Sequence, residues 1–319
     1  MAEIKLRQLG KSSLMVSPIG LGCWQFSGGS MAAYWNSPPQ EEIDEIVRVA
    51  LEGGINWFDT AEMYGFGRSE HALSVALQAA GRKNGDVIIA TKWNPILRRA
   101  SNIARTFPAR ERHLAPFQID LFQVHLPYSV SSVEAQMNAL ADLLDAGKIK
   151  TVGVSNFSEK RMRRAQKALR ARGYSLASNQ VRYNLLDRSI EKNGIMTAAK
   201  ELNISLIAYS PLAQGLLGGK YHQSPDAVRK LPVMRRRSIR GRVEKSRELV
   251  GALIEIAQAH DVSASQVALN WLVNFHGDTV VAIPGATRSE QAKQNCGAMN
   301  ITLSDAQMSR IDELSRRFI

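Results

Sequence analysis

The chain has 319 residues, 45% of them apolar, with 41 Lys and Arg against 29 Asp and Glu and a formal net charge of +12. Such a length and charge fraction describe a globular body with a sizeable core and exclude a disordered chain. Two cysteines, Cys23 and Cys296, exclude a disulfide scaffold, and the absence of a run near the ~18 apolar residues of a membrane span predicts a cytoplasmic protein.

In chain order the sequence predicts a front hairpin, Leu6–Gly10 returning through Leu14–Pro18, and then short apolar runs alternating with helix-period segments. The predicted strands are Ile19–Gly22, Asn56–Asp59, Val87–Thr91, Leu121–His125, Thr151–Ser155, Asn179–Tyr183, Ser205–Tyr209 and Val280–Pro284. Between them lie predicted helices Gln40–Glu52, Ser69–Ala79, Val133–Ala146, Ser158–Arg172, Ile190–Leu202, Ser263–Phe275 with Ser263 as N-cap to Gln266, and Ser289–Met299. Residues 92–113 read as a further outward helix, but Phe107-Pro108 and Pro116 predict a kink or break there, because an interior proline removes a helical hydrogen bond. A long stretch Ala213–Lys245 follows the seventh strand, and Ser304–Arg317 forms a terminal helix. Eight βα units whose strands are nearly all apolar describe a (β/α)₈ TIM barrel over residues 1–319, taken as one domain, with its site at the C-terminal strand ends.

The positive charge is local. Residues 92–113, 158–172 and 220–245 carry +5, +6 and +7, leaving the rest acidic. In Ser158–Arg172, Met162, Ala165 and Leu169 share one face, so Lys160, Arg163, Arg164, Lys167 and Arg170 fall on the outer one. The third segment, with Lys220, Arg229, Lys230, Arg240 and Lys245, belongs to the barrel mouth, as a solvated mobile loop or as cations drawing in a phosphate-bearing ligand.

Chemistry concentrates at three consecutive strand ends. Asp59 and His125 each close an apolar run, Lys92 follows Ile88-Ile89-Ala90-Thr91, and Tyr64 lies five residues past Asp59. A buried Asp needs a cationic partner, and Lys92 is the nearest on the adjoining strand. A tyrosine beside that ammonium is expected to have its pKa drawn down and to act as a proton donor to a carbonyl oxygen, with His125 bonded to the same oxygen. Each residue also has a plainer reading: Asp59 as a helix cap, Lys92 as a solvated charge, Tyr64 as a loop packer, His125 as a core histidine.

Asp59-Thr-Ala-Glu-Met-Tyr64-Gly, Ala90-Thr-Lys92, Gln123-Val-His125-Leu-Pro127, Gly153-Val-Ser155-Asn156-Phe157, Ser178-Asn-Gln180-Val, Ala208-Tyr209-Ser210-Pro-Leu212 and Ile283-Pro-Gly285-Ala resemble, in order, the motifs of the aldo-keto reductases. The resemblance implies an NADPH-dependent oxidoreductase that reduces aldehydes or ketones, with Asp59, Tyr64, Lys92 and His125 as the catalytic tetrad. It implies that Ser155, Asn156 and Gln180 hold the nicotinamide carboxamide and that Tyr209 stacks on its ring. Ser210, Leu212, Gln214 and Gly215 would run beside the pyrophosphate, and Gly285, Ala286, Thr287, Arg288, Gln291, Gln294 and Asn295 would take the adenine end. Gly285 stands where some members carry a phosphate-binding Lys, so a preference for NADPH rests on Arg288. Trp24 and Trp93 match positions near the substrate opening, or are barrel-top packing.

No dinucleotide-fold glycine motif, P-loop, metal-ligand spacing or nucleic-acid module is present. The alternative kept open is an NADPH-binding regulatory or redox-sensing subunit with little turnover. Partners are therefore expected to be a small carbonyl substrate and the nucleotide, without nucleic acid or membrane.

Overall fold

The computed structural model describes residues 4–28, 37–231 and 233–319. Eight parallel strands pair in sequence order: β1 (Leu21–Gly22), β2 (Trp57–Asp59), β3 (Ile88–Trp93), β4 (Ile119–Val124), β5 (Ile149–Ser155), β6 (Leu176–Arg182), β7 (Ser205–Tyr209) and β8 (Val280–Ala282). The two edges meet through bridges Ile19 to Ala282 and Gly22 to Gly285, carried by Gly20 N–H to Ala282 O (2.8 Å) and Gly22 N–H to Pro284 O (3.1 Å). This is the (β/α)₈ barrel expected from the alternating pattern.

Period-two alternation divides the apolar residues into two populations. Trp57, Ala90, Leu121, Ile207 and Val281 point inward and pack with Leu9, Leu14 and Val16 of the front hairpin, which plugs the barrel end opposite the strand C-termini. Phe58, Ile89, Phe122, Val124 and Ala208 point outward into the larger core shared with the helices. At the C-terminal ends the inward positions become Asp59, Lys92 and Gln123, so the same alternation that builds the core delivers polar groups to one level of the barrel.

The helices follow the predicted periodicity, with particular departures. Ser263 and Ser304 both form capping boxes with Gln266 and Gln307. The expected helix Ile190–Leu202 is a 3₁₀ turn, Ser189–Glu191, and a helix, Ile195–Leu202, separated at Gly194, whose φ of 86° no helix interior accommodates. The segment 92–113 contributes a helix only over Asn102–Leu114, and Pro108 does not break it, since Ile103, Phe107, Arg110 and Leu114 bury one stripe across the proline. Helix Arg247–Ala259, unread in the sequence, packs outside the barrel through Leu249, Val250, Leu253 and Ile256. Within residues 213–245 the chain turns through left-handed backbone at Ala213, Gln214 and Gly215 and then forms helices Lys220–Gln223, Pro225–Arg229 and Val233–Val243.

Gly20 lies against the Trp57 indole, and a Cβ there would overlap the ring. Gly20→Ala is expected to destabilise the barrel by about 1–3 kcal/mol through overpacking; a lowered denaturation midpoint in urea checks it, and an unchanged midpoint would show that the indole can move aside.

Candidate active site

β2, β3, β4 and β6 converge on a single carboxylate. Asp59 Oδ1 accepts from Lys92 Nζ, and Oδ2 accepts from Gln123 Nε2 (3.0 Å) and Gln180 Nε2 (2.9 Å). Lys92 also donates to Thr60 O at 2.8 Å and reaches Tyr64 Oη at 3.4 Å, and both members of the ion pair are buried. The Tyr64 ring lies edge-on to the His125 ring, with centroids 5.6 Å apart. The four residues singled out from the sequence are thus one contiguous cluster.

Burial works against the Lys92 ammonium, but the attraction of Asp59 and Tyr64 outweighs it and leaves its pKa raised. Burial pushes the Tyr64 phenol up, and the opposing pull of Lys92 does not overcome it. That corrects the expected downward shift: the sequence showed the cation but not how completely the hydroxyl leaves water. His125 is held down to about 3, by burial first and then by the Lys92 charge. It is therefore neutral, and its Nδ1 is buried with no hydrogen-bond partner among the described residues.

The loop that carries Tyr64 is tied at both ends. Glu62 accepts from Asn94 N–H (2.9 Å) and Arg98 Nη1 (2.7 Å), while Glu70 accepts from Thr91 Oγ1 (2.6 Å). Arg110 pairs with Glu70 (3.0 Å) and Glu62 (3.4 Å), and His113 Nδ1 lies 3.2 Å from Glu70. Burial lifts the Glu70 carboxyl to about 7 against the pull of Arg110. Residues Gly65, Phe66 and Gly67 between these ties are all left-handed, and His113 packs where a Gly67 Cβ would stand. Arg110 is therefore buried and Arg98 half-buried against this loop, a correction to the reading of residues 92–113 as an outward basic face, which holds for the exposed Arg99, Arg105 and Arg112.

Asp59, Tyr64 and His125 form part of the wall of a cavity of about 1510 Å³ that runs across the barrel mouth, with Lys92 buried behind them. Ser155, Asn156, Gln180, Tyr209, Ser210, Leu212, Gln214, Gly215, Gly285, Thr287, Arg288, Gln291, Gln294 and Asn295 all line it, as does Trp24. Tyr209 Oη donates to Asn156 Oδ1 (3.0 Å), and Asn156 Nδ2 donates to Ser155 Oγ (2.9 Å). Thr287 donates through its N–H (2.8 Å) and Oγ1 (3.1 Å) to Gln291 Oε1. Arg288 precedes the helix Ser289–Gly297 and makes no ion pair among the described residues, but Glu42 Oε1 accepts the Ser289 N–H at 2.7 Å and occupies one donor of that helix end. Lys220 and Lys230 of the basic stretch line the cavity too.

Trp93 does not. It sits one residue past Lys92, so strand alternation turns its indole outward, where it is fully buried in the core around the barrel; this corrects its expected place at the substrate opening. The sequence reading missed Gln123, Glu62, Glu70, Arg110 and Arg182. Gln123 was visible as the inward position two before His125, whereas the pairing of Glu62 and Glu70 with Arg98 and Arg110 needs tertiary contact to be seen. Arg182, at the end of β6, lines the cavity beside Tyr209.

A parallel barrel with a cavity at its C-terminal strand ends, lined by Asp59, Tyr64 and His125 with Lys92 buried behind them, has its site where barrel enzymes place theirs. The aldo/keto reductase family model matches residues 18–316, and the chain belongs to that family of oxidoreductases. It is 39% identical over 306 residues to an uncharacterised oxidoreductase of Mycobacterium bovis, covering 95% of this chain and 90% of the relative. It is 32% identical over 327 residues to an NADP(+) aldo-keto reductase of Schizosaccharomyces pombe, covering 98% and 91%. An aldo/keto reductase from Klebsiella pneumoniae, solved with NADP and acetate, superimposes with a TM-score of 0.75 at 25% identity, covering 98% of this chain and 96% of that one.

The depressed His125 pKa has a stability consequence. The unfolded imidazole takes up a proton near pH 6.5 and the folded one only near 3, so the unfolded state binds more protons between these values and stability falls as pH drops through that window. His125→Asn is expected to flatten this loss in urea titrations from pH 7 to 4; an unchanged slope would show that His125 is protonated in the folded state.

Proposed function

We propose that the protein reduces aldehyde and ketone carbonyls to alcohols with NADPH, with Tyr64 as proton donor. The observation that carries this reading is the Lys92 ammonium set between Asp59 and Tyr64 Oη, buried just behind the wall of a long cavity that Tyr64 and a neutral His125 line. The residues fit a dinucleotide: among the described residues, Asn295 Nδ2 is buried without a partner at one end and His125 Nδ1 at the other. The left-handed run Ala213, Gln214 and Gly215 brings backbone to the cavity wall between them.

Ser155, Asn156 and Gln180 would hold the carboxamide, with the Gln180 N–H spent on Asp59 and its oxygen left to accept, and Tyr209 would face the ring. Ser210, Leu212, Gln214 and Gly215 would lie along the pyrophosphate, and Gly285, Thr287, Gln291, Gln294 and Asn295 at the adenine end. Arg288 would meet the 2′-phosphate, and its lack of an ion partner among the described residues supports that role. When bound, the nicotinamide supplies a hydride to the carbonyl carbon. Tyr64 gives its proton to the carbonyl oxygen, Lys92 stabilises the phenolate that remains, and neutral His125 directs the oxygen toward Tyr64. Trp24 contributes an apolar wall on the substrate side.

The raised Tyr64 pKa supports the donor role because it keeps the proton in place across neutral pH. A regulatory NADPH-binding role would use the same cavity without needing Tyr64. Tyr64→Phe is expected to keep NADPH affinity and lose at least ~10²-fold in aldehyde reduction; retained turnover with 4-nitrobenzaldehyde would remove Tyr64 as donor, and negligible turnover by the unmodified protein would favour the regulatory reading. Arg288→Ala should weaken NADPH at least ~10-fold more than NADH by fluorescence titration, and equal weakening would take Arg288 away from the 2′-phosphate.

A further inference from the structure

Six of the ten large apolar side chains exposed among the described residues lie on the three loops that follow β2, β3 and β4: Met63, Phe66, Ile96, Leu97, Tyr128 and Val130. Phe66 and Leu97 are each 88% exposed, and both stand on left-handed backbone, with φ of 56° and 55°. For a bulky side chain that conformation is strained, and full exposure returns nothing to the fold. Asn or Gly would satisfy the backbone better, so the reason for a phenyl and an isobutyl group there lies outside folding.

The three loops form one rim. Arg98, next to Leu97, donates to Glu62 of the first loop (2.7 Å), and its carbonyl accepts from Ser129 Oγ (2.9 Å) and Val130 N–H (3.3 Å) of the third. The rim continues into the cavity wall. Met63 and Tyr64 line the cavity just before Phe66, and His125 and Leu126 line it just before Tyr128. At ~3.6 Å per residue at most, the Cα atoms of Phe66 and Tyr128 stand within roughly 7 and 11 Å of those of Tyr64 and His125.

We infer that this rim seats the apolar body of the carbonyl substrate, a long alkyl or multi-ring aldehyde or ketone whose C=O sits at Tyr64 and His125 while its body lies across Phe66, Leu97 and Tyr128. The inference rests on the reductase reading of Tyr64. Continuity with the cavity decides the occupant: a molecule whose carbonyl reaches Tyr64 must leave past these loops or past the nucleotide-lining residues, and this side is the apolar one. A second copy of the chain seated on the rim would cover the same side chains but has no need of their continuity with the tetrad.

The test is a series of n-alkanals from hexanal to dodecanal with NADPH, run on the unmodified protein and on Phe66→Asn, Leu97→Asn and Tyr128→Ser. Asn accepts the left-handed backbone, so the first two variants keep the loop. On the unmodified protein kcat/KM should rise roughly twofold per added methylene, the return from one-sided burial. The variants should flatten that slope and leave 4-nitrobenzaldehyde turnover unchanged. An equal slope in all proteins overturns the inference, as does a change of oligomeric state on sedimentation with the slope retained, which would make the rim a self-interface. Calorimetric binding of 1-decanol against 1-hexanol reads the rim without turnover. Tighter decanol binding that the Asn variants abolish supports it even where no aldehyde is reduced, and equal binding overturns it. Absent turnover of every aldehyde, 4-nitrobenzaldehyde included, overturns the reductase reading instead.

Discussion

The structure around the mouth depends on one buried ion pair. Asp59 and Lys92 sit inside the barrel with essentially no contact with water, and removing either would leave an uncompensated charge there, typically a loss of about 3–5 kcal/mol. The pair is held because every remaining polar valence is met: Gln123 and Gln180 from β4 and β6 donate to the second carboxylate oxygen, and Thr60 accepts from the ammonium. Two well-packed apolar residues would serve stability as well or better. A fully satisfied charge network therefore makes most sense through what it does to its neighbours.

Its ammonium acts on two groups that burial holds neutral, opposing burial at Tyr64 and adding to it at His125. The ammonium reaches Tyr64 Oη and contributes to keeping His125 neutral, while burial holds the phenol protonated. A neutral acid and a neutral imidazole then stand side by side at the cavity wall, which suits delivering a proton to a carbonyl oxygen without a competing ionisation near pH 7. The geometry is secured from behind by Glu62 and Glu70, which converge on Arg110 and brace the left-handed turn after Tyr64. Tyr64 is thus held from two sides by charge, with the barrel interior in front and the ion network of the next helix at its back.

The barrel and the tetrad were legible because they are written in local pattern. Nearly all-apolar strands signal two covered faces, and a titratable residue closing such a run has nowhere to point but the mouth. Trp93 was misplaced because the motif match overrode alternation: its neighbour Lys92 faces inward, so the tryptophan cannot. Arg98 and Arg110 were misread for the opposite reason. Charge on a helix segment suggests solvent, and only the carboxylates of a separate loop, at sequence distances of about 40 residues, draw those guanidiniums against it. The upward shift of Tyr64 lay out of reach as well, since the extent of burial is a property of the assembled mouth.

The +12 charge resolves on the same lines. Arg163 pairs with Glu159 of its own helix and with Glu201, Arg164 with Glu134, and Arg172 with Asp142 and Asp145, so carboxylates of neighbouring helices offset part of the charge of the strongly basic segment 158–172 at the surface. Segment 92–113 spends Arg98 and Arg110 on the Tyr64 loop. Around the cavity, by contrast, Lys220, Lys230, Arg182 and Arg288 line the wall with few carboxylates to answer them. Cations thus line the part of the cavity where a nucleotide's phosphates would lie, while the rim beyond Tyr64 carries exposed apolar side chains. On the proposed reading, one cavity with a cationic arm and an apolar lip would sort its two ligands by polarity: the charged one would be drawn along the barrel top, and the carbonyl compound would be left the side that water-seeking groups avoid.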